Sequence, residues 1–343
     1  MGRSQLIKWS QTEFPSLPWR KNRSLYRTLV SEIMLQQTTV STVKNHYDRF
    51  LLQFPDLESL ASATEHDMLV AWKGLGYYRR ARNLKKIAEK LVSHYAGVFP
   101  QDKDVLQEIP GIGPYTANAL LSIGMDRPAL SLDANLERVI SRYVGIALPK
   151  GPKLHKEINR LFEAGKIFND KKMSFRALNE ALMDLGRTYC QARKAVCELC
   201  PLKKECFAFN KARPLDYPLE DKLKAKTEEH DLHLLRVYVM KKDKLLVYKK
   251  EDSEWLSGQY EVPTFILHTT DKKLSQYPVY LAKIEKDLKT FKTGITKYKI
   301  TNFILEMSES ELKKMTKKKL LWVSVGAESN LSTATTKGLA KLN

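Results

Sequence analysis

Cysteine is scarce in this chain: its 343 residues hold four, and all four fall between positions 190 and 206. Four thiols spread through the chain would suggest a disulfide framework; four in one short stretch suggest a bound metal. Long apolar runs are missing too. No stretch approaches the ~18 uninterrupted apolar residues of a membrane-spanning helix. The opening residues, MGRSQLIKWSQTEFPSLPW, lack the apolar core of a secretory signal. A cytoplasmic protein without a membrane partner is therefore expected. Acidic side chains are few, with Asp and Glu totalling 39 against 58 Lys and Arg, a net charge of +19. At 43% hydrophobic and 28% charged, the chain has too much apolar content for wholesale disorder.

The basic excess is not a tail. Residues 1–230 carry a net +11 and residues 231–343 a net +8, which together make up the +19. A polyanion, most often nucleic acid, is the partner such a balance fits. Residues 24–210 read as helical: Leu25, Leu29 and Ile33 recur at helical spacing, as do Leu84, Ile87 and Leu91, and Leu178, Leu182 and Leu185. Residues 211–228 are charged and twice interrupted by proline, the pattern of a linker. Beyond them, 233–240, 244–248, 279–284 and 298–307 read as strands. A helical domain over 1–210 should thus precede a smaller α+β domain over 229–343.

Three local patterns carry chemistry. Cys190, Cys197, Cys200 and Cys206 are spaced C-x6-C-x2-C-x5-C. Four thiolates suit a tetrahedral zinc or a cubane [4Fe–4S] cluster. Only Cys197 and Cys200 form the close pair that a zinc knuckle needs, so the spacing favours the cluster. Ile109-Pro110-Gly111-Ile112-Gly113-Pro114-Tyr115 runs into a helical stretch. Gly111 and Gly113 there would leave backbone N–H groups open to a phosphate, or simply turn the chain. Glu32 lies among Leu29, Val30, Ile33 and Met34. Facing inward it would be desolvated and held protonated as a general acid; facing outward it would be an ordinary helix glutamate. Asp133 precedes the helical run LERVISRYV and reads as its cap.

These segments together resemble the helix-hairpin-helix DNA glycosylases, most closely the MutY adenine glycosylases. The resemblance rests on SEIMLQQTTV (31–40), WKGLGYYRRARNL (72–84), IPGIGPYTANALLS (109–122), LDANLERVISR (132–142), LNEALMDLG (178–186) and the four cysteines, in the family's order. It implies a mainly α helix-hairpin-helix glycosylase domain with an iron–sulfur loop, followed by an α+β Nudix-like domain. It also implies a [4Fe–4S] cluster on the four cysteines. The implied partner is double-stranded DNA with adenine opposite 8-oxoguanine or guanine, bound by a monomer working at the nucleoid of a bacterial-type cell.

The resemblance gives roles to single residues. Glu32 corresponds to the acid that protonates adenine, and Asp133 to the carboxylate that stabilises the cationic sugar. Tyr115 and Asn135 match positions organising that site, and Trp19, Arg20 and Glu180 match the adenine pocket. Gln37 and Tyr77 match residues that wedge into the base stack. Where Tyr115 stands, the endonuclease III enzymes carry a lysine that attacks the sugar. A phenol cannot, so a monofunctional glycosylase is expected. The segment 255–263, WLSGQYEVP, matches a strand and turn of the Nudix-like domain, and no glutamate-rich pyrophosphatase box follows it. The family's Phe-Ser-His lesion-reading loop aligns with Ile295-Thr296-Lys297, which keeps only a hydroxyl at Thr296 and adds a charge at Lys297. The same fold acting on thymine opposite guanine, and a lesion-binding protein without catalysis, are the alternatives.

Overall fold

The computed structural model describes residues 2–168, 173–220, 228–251, 253–281, 287–326 and 329–342. The chain divides into two compact units, one of Met1–Thr64 with Arg79–Lys224 and one of Glu65–Tyr78 with Ala225–Asn343. Each is taken by itself.

The first unit is helical. Helix Leu25–Leu35 begins where the Ser24 side chain accepts from the Arg27 amide at 3.1 Å. Eight of its eleven residues are buried, so it is a central helix with no true solvent face. The periodic leucines lie where their spacing puts them, on the buried faces of helices Arg79–Tyr95 and Phe175–Thr188. One apolar core gathers Leu130, Leu136, Ile140, Leu178, Leu182 and Leu185. The glycine-rich turn leads into helix Pro114–Ala119, which continues as a π-helical stretch, Leu120–Gly124. Gly111 has φ 103°, and a Cβ there would come within 3.2 Å of Asn83 Cβ and 3.3 Å of Ile87. Both backbone and packing therefore demand glycine. Gly113 has open space around it.

Part of the sequence reading changes here. Tyr217 and Leu219, expected in a linker, are tied to the first unit. The Tyr217 carbonyl accepts from Arg142 Nε at 2.9 Å, and the Leu219 amide donates to Leu148 at 3.0 Å. Segment Glu65–Tyr78, expected in the helical domain, packs with the C-terminal strands.

The described residues of the second unit form eight strands: β1 His230–Tyr238, β2 Met240–Lys241, β3 Lys244–Lys249, β4 Tyr260–Glu261, β5 Thr264–Thr269, β6 Thr290–Ile295, β7 Tyr298–Glu306 and β8 Leu321–Ser324. One sheet runs β5-β1-β7-β6, with β1 and β7 parallel and the other pairs antiparallel. The other is built on β3, which pairs β2, β4 and β8. Of the strand expected over 279–284, Val279 makes a single bridge to Ile266, and residues 282–284 lie outside the described ones. Helix Thr333–Leu342 packs on Tyr238, whose hydroxyl would collide with any Cβ at Gly338.

Candidate active site

Glu32 faces inward and is 4% exposed. The Tyr115 hydroxyl donates to its Oε2 at 2.6 Å. Burial pushes the Glu32 carboxyl up to about 7, against the pull of that hydrogen bond, with the charges of Asp133 and Glu180 adding to the rise. Burial and the neighbouring Glu32 raise the Tyr115 phenol well above its ordinary range. At neutral pH the pair therefore stores a proton that it can give up.

Asp133 caps helix Ala134–Val144. Its Oδ1 accepts from the amides of Asn135 at 2.9 Å and Leu136 at 2.8 Å. Its Oδ2 accepts from Asn135 Nδ2 at 2.8 Å. The sequence reading of a cap is thus met, by bonds that engage both carboxylate oxygens. The capping bonds fix the aim of the carboxylate at the positive end of a helix dipole. Asn135 is fixed in turn, its Oδ1 accepting from Arg138 Nη2 at 2.8 Å. Arg138 also donates to the carbonyls of Gly186 at 2.8 Å and Cys190 at 2.7 Å. A side-chain chain thus runs from Asp133 to the start of the cysteine loop. Gly186 makes it possible, since a Cβ there would lie 2.6 Å from Asn135 Cβ.

Glu32, Tyr115, Asp133 and Asn135 open onto one cleft of about 880 Å³, which Trp19, Arg20 and Gln37 also line. Trp19 packs edge-on against Tyr47, with ring centroids 5.8 Å apart. Gln37 holds φ 55°, a left-handed conformation uncommon outside glycine. Arg80 explains how it is held. Its guanidinium donates to the carbonyls of Ile33 at 2.9 Å, Met34 at 2.7 Å and Gln36, and to Thr38 Oγ1 at 2.9 Å. It therefore ties down the end of the Glu32 helix and the turn carrying Gln37. Sequence reasoning passed over Arg80; an arginine that is 8% exposed was the missed signal.

Glu180 does not line the cleft. It pairs with Arg23 at 2.7 Å and Arg20 at 3.6 Å and acts on Glu32 through its charge. Asp184 and Arg187, also missed, do line it. Arg20 and Arg187 meet Asp184 at 2.9 and 3.0 Å, and the Ser10 hydroxyl donates to it at 2.5 Å. Tyr77, Thr296 and Lys297 belong to the other compact unit.

In that unit Thr296 and Lys297 form the turn between β6 and β7, with Thr296 at φ 49°. They border a groove with Trp255 and Tyr277. Lys297 is not a free charge: its Nζ meets Asp271 Oδ2 at 2.9 Å, where the Tyr298 hydroxyl also donates at 2.6 Å. That corrects the reading of Lys297 as a side chain offering its charge outward.

The four cysteines line one apolar cavity together with Arg142, whose Nη1 lies 3.3 Å from Cys190 Sγ. None is in a disulfide. Burial and the neighbouring sulfurs push Cys197 up and Cys200 up to about 12; burial above all pushes Cys206 up. Four sulfurs lining one cavity suit a shared cationic ligand that would draw them to thiolates. Among the described residues no three His, Cys, Asp or Glu side chains converge as a single ion would need.

Residues 30–164 match the family model described as HhH-GPD superfamily base excision DNA repair protein. The chain is 36% identical over 247 residues to an adenine DNA glycosylase of Buchnera aphidicola, a match covering 71% of this chain and 66% of that enzyme. It is 31% identical to a thymine-DNA glycosylase of Aeropyrum pernix, across 61% of this chain and 94% of that one. Among solved structures, that of a thermostable thymine-DNA glycosylase superposes with a TM-score of 0.53 at 29% identity, over 61% of this chain and 95% of that one. The chain spans about two thirds of the length of the Buchnera enzyme. With a paired buried carboxyl, a capped aspartate and this likeness in hand, the chain belongs to the HhH-GPD superfamily of base excision DNA repair proteins.

Proposed function

We propose that this protein is a monofunctional adenine DNA glycosylase that removes adenine mispaired with 8-oxoguanine or guanine. The observation that carries this reading is the Glu32–Tyr115 pair facing Asp133 across one cleft. Adenine leaves badly as an anion, so the departing base needs a proton. Glu32, neutral up to about pH 7, gives it to adenine N7. The bond between C1′ and N9 then breaks, its electron pair staying with the base. The cationic sugar left behind is stabilised by Asp133. Water adds to C1′, and its surplus proton returns to the Glu32 carboxylate. The products are free adenine and an abasic site. Tyr115 offers no amine, so no Schiff base forms and strand nicking is weak.

Trp19 and Arg20 hold the flipped base, while Gln37 and Tyr77 fill the stack it leaves. Gly111 and Gly113 receive backbone phosphate. Cys190, Cys197, Cys200 and Cys206 would hold a [4Fe–4S] cluster, which would staple the loop whose Arg193, Lys194, Lys203 and Lys204 would face the DNA phosphates. The Nudix-like C-terminal strands, with Thr296 at the β6–β7 turn, would read the 8-oxoguanine. Identity of 36% to the adenine DNA glycosylase of Buchnera aphidicola, against 31% to the thymine enzyme, supports adenine over thymine. No helix among the described residues is long and apolar enough to cross a membrane, consistent with action on nucleoid DNA.

The deciding experiment incubates the purified protein with duplexes holding A opposite 8-oxoguanine, A opposite G, or T opposite G, followed by alkali. Cleavage at adenine in the first two duplexes is expected. Cleavage only at thymine would replace the reading with a thymine glycosylase, and cleavage nowhere would leave a binding protein. Iron and sulfide analysis of anaerobically purified protein should return about four irons per chain; stoichiometric zinc instead would remove the cluster.

A further inference from the structure

Tyr77 stands on Glu65–Tyr78, the segment that packs as part of the C-terminal compact unit. Its backbone is left-handed, at φ 48°, and its ring is 55% exposed. An aromatic residue in that conformation is strained and stays there only if its surroundings hold it. Part of the hold is local. Trp72 is fully buried and its indole donates to the Gly76 carbonyl at 3.0 Å, while Gly74 and Gly76 supply the other left-handed turns at φ 102° and 70°.

A further part comes from residues more than 180 positions along the chain. Lys73 Nζ donates to the Ser329 carbonyl at 3.2 Å. Tyr78, 5% exposed, lies against Gln259, which is fully buried. Burial pushes the Tyr78 phenol up to about 12, and the Gln259 amide pulls against that rise. The Tyr78 hydroxyl, both ends of the Gln259 amide and Asn330 Oδ1 are all buried without a hydrogen-bond partner of ordinary geometry. Polar groups gathered in one buried spot act on one another and hold a defined arrangement. Lys73, four residues before the exposed wedge, is thus anchored to Ser329, and Tyr78, the wedge's immediate neighbour, sits beside Gln259.

We propose that Gln259 and Lys73 are positioning residues for the Tyr77 wedge, so that the C-terminal strands take part in flipping the base as well as in reading its partner. The proposal rests on the reading that Tyr77 enters the base stack. Gln259 touches neither base nor sugar; it acts through Tyr78 on the aim of its neighbour. Lys73 acts through the turn that Gly74 and Gly76 make.

A double-mutant cycle on the full chain tests this. Single-turnover excision of adenine opposite guanine is measured for Gln259→Leu, Lys73→Met, Tyr77→Ala and the pairs with Tyr77→Ala. Flipping is followed by the fluorescence of 2-aminopurine in place of the adenine. Gln259→Leu and Lys73→Met should each slow excision roughly tenfold and weaken the fluorescence rise, yet add nothing once Tyr77 is alanine. Binding to a duplex that already holds an abasic site, with no base to flip, should stay within about twofold, a readout that a merely structural role would not spare. If the effects multiply with Tyr77→Ala, the residues do not act through the wedge and the proposal falls while the wedge stands. If Tyr77→Ala alone excises at the wild-type rate, the wedge reading falls and takes the proposal with it. Should Gln259→Leu fail to fold, the Lys73→Met cycle decides alone.

Discussion

Two glutamates, one in each compact unit, are equally hidden from water and titrate in opposite directions. Glu32 is 4% exposed and sits near 7; Glu261 is 1% exposed and sits near 2. Burial pushes both up. At Glu261 the charges of Arg236, 2.8 Å away, and of Lys250 outweigh burial, and the hydroxyls of Tyr277 and Tyr248 donate to it at 3.0 and 3.3 Å. At Glu32 the nearest donor is a single phenol. Burial alone therefore does not make an acid catalyst; burial without a cation paired to the carboxyl does. One unit uses a buried carboxyl to keep a proton, the other to neutralise two buried cations.

The comparison breaks most visibly at Glu32. Glu32→Gln should keep mismatch binding and lose excision by about a thousandfold in single turnover, since an amide holds no transferable proton. Excision within a few-fold of wild type would end the assignment. The same variant should be more stable at pH 8 and no more stable at pH 4. The folded value, about 7, lies above the ordinary 4.5, so the wild type loses stability as pH rises from 4.5 and carries the full cost above 7. That cost is on the order of 2–3 kcal/mol, visible in urea unfolding.

Glu261→Gln should do the reverse. Leaving Arg236 and Lys250 without their carboxylate should cost about 3–5 kcal/mol of stability, with excision by the folded fraction unchanged. Its folded value lies below the ordinary one, so the stabilisation is complete above pH 4.5 and is lost only as pH falls through about 2. Unfolding curves between pH 6 and 8 should therefore show no limb from Glu261.

A smaller effect sharpens the contrast: wild-type excision should fall roughly tenfold per pH unit above about 7, as Glu32 ionises, with no matching change in DNA binding. A flat profile to pH 9 would mean that the proton comes from elsewhere. The smallest effect concerns the β6–β7 turn. Thr296→Ala should narrow the preference for 8-oxoguanine over guanine by about 1 kcal/mol, the worth of one hydrogen bond. Lys297→Ala should narrow it less, because its ammonium is already spent on Asp271.

Much of this was readable in the sequence where the signal is local. The apolar company of Glu32, the cap position of Asp133 and the glycine of the 109–115 turn each depend on residues a turn away. The helical periods and the strands β1 and β3 are legible for the same reason. What stayed hidden depends on partners far along the chain. Arg80 reaches back 44 to 47 positions to hold the Gln37 turn. Asp271 and Lys297 are 26 positions apart and meet only through the pairing of strands. Glu261 lies in a segment recognised by its pattern, yet its cations come from β1 and from beyond β3. The segment 65–78 is helical by composition, and nothing local marks it as belonging with the C-terminal strands.

Gly186 is among the smallest features described above and carries a wide consequence. The helix bearing it and the helix capped by Asp133 approach so closely that one absent methyl group sets their spacing. Such a position behaves as a ruler. Any side chain there would lengthen the path from Asp133 through Asn135 and Arg138, and the carboxylate would drift from the sugar without a single reacting group being altered. The reach of the chemistry is calibrated by an atom that is not there.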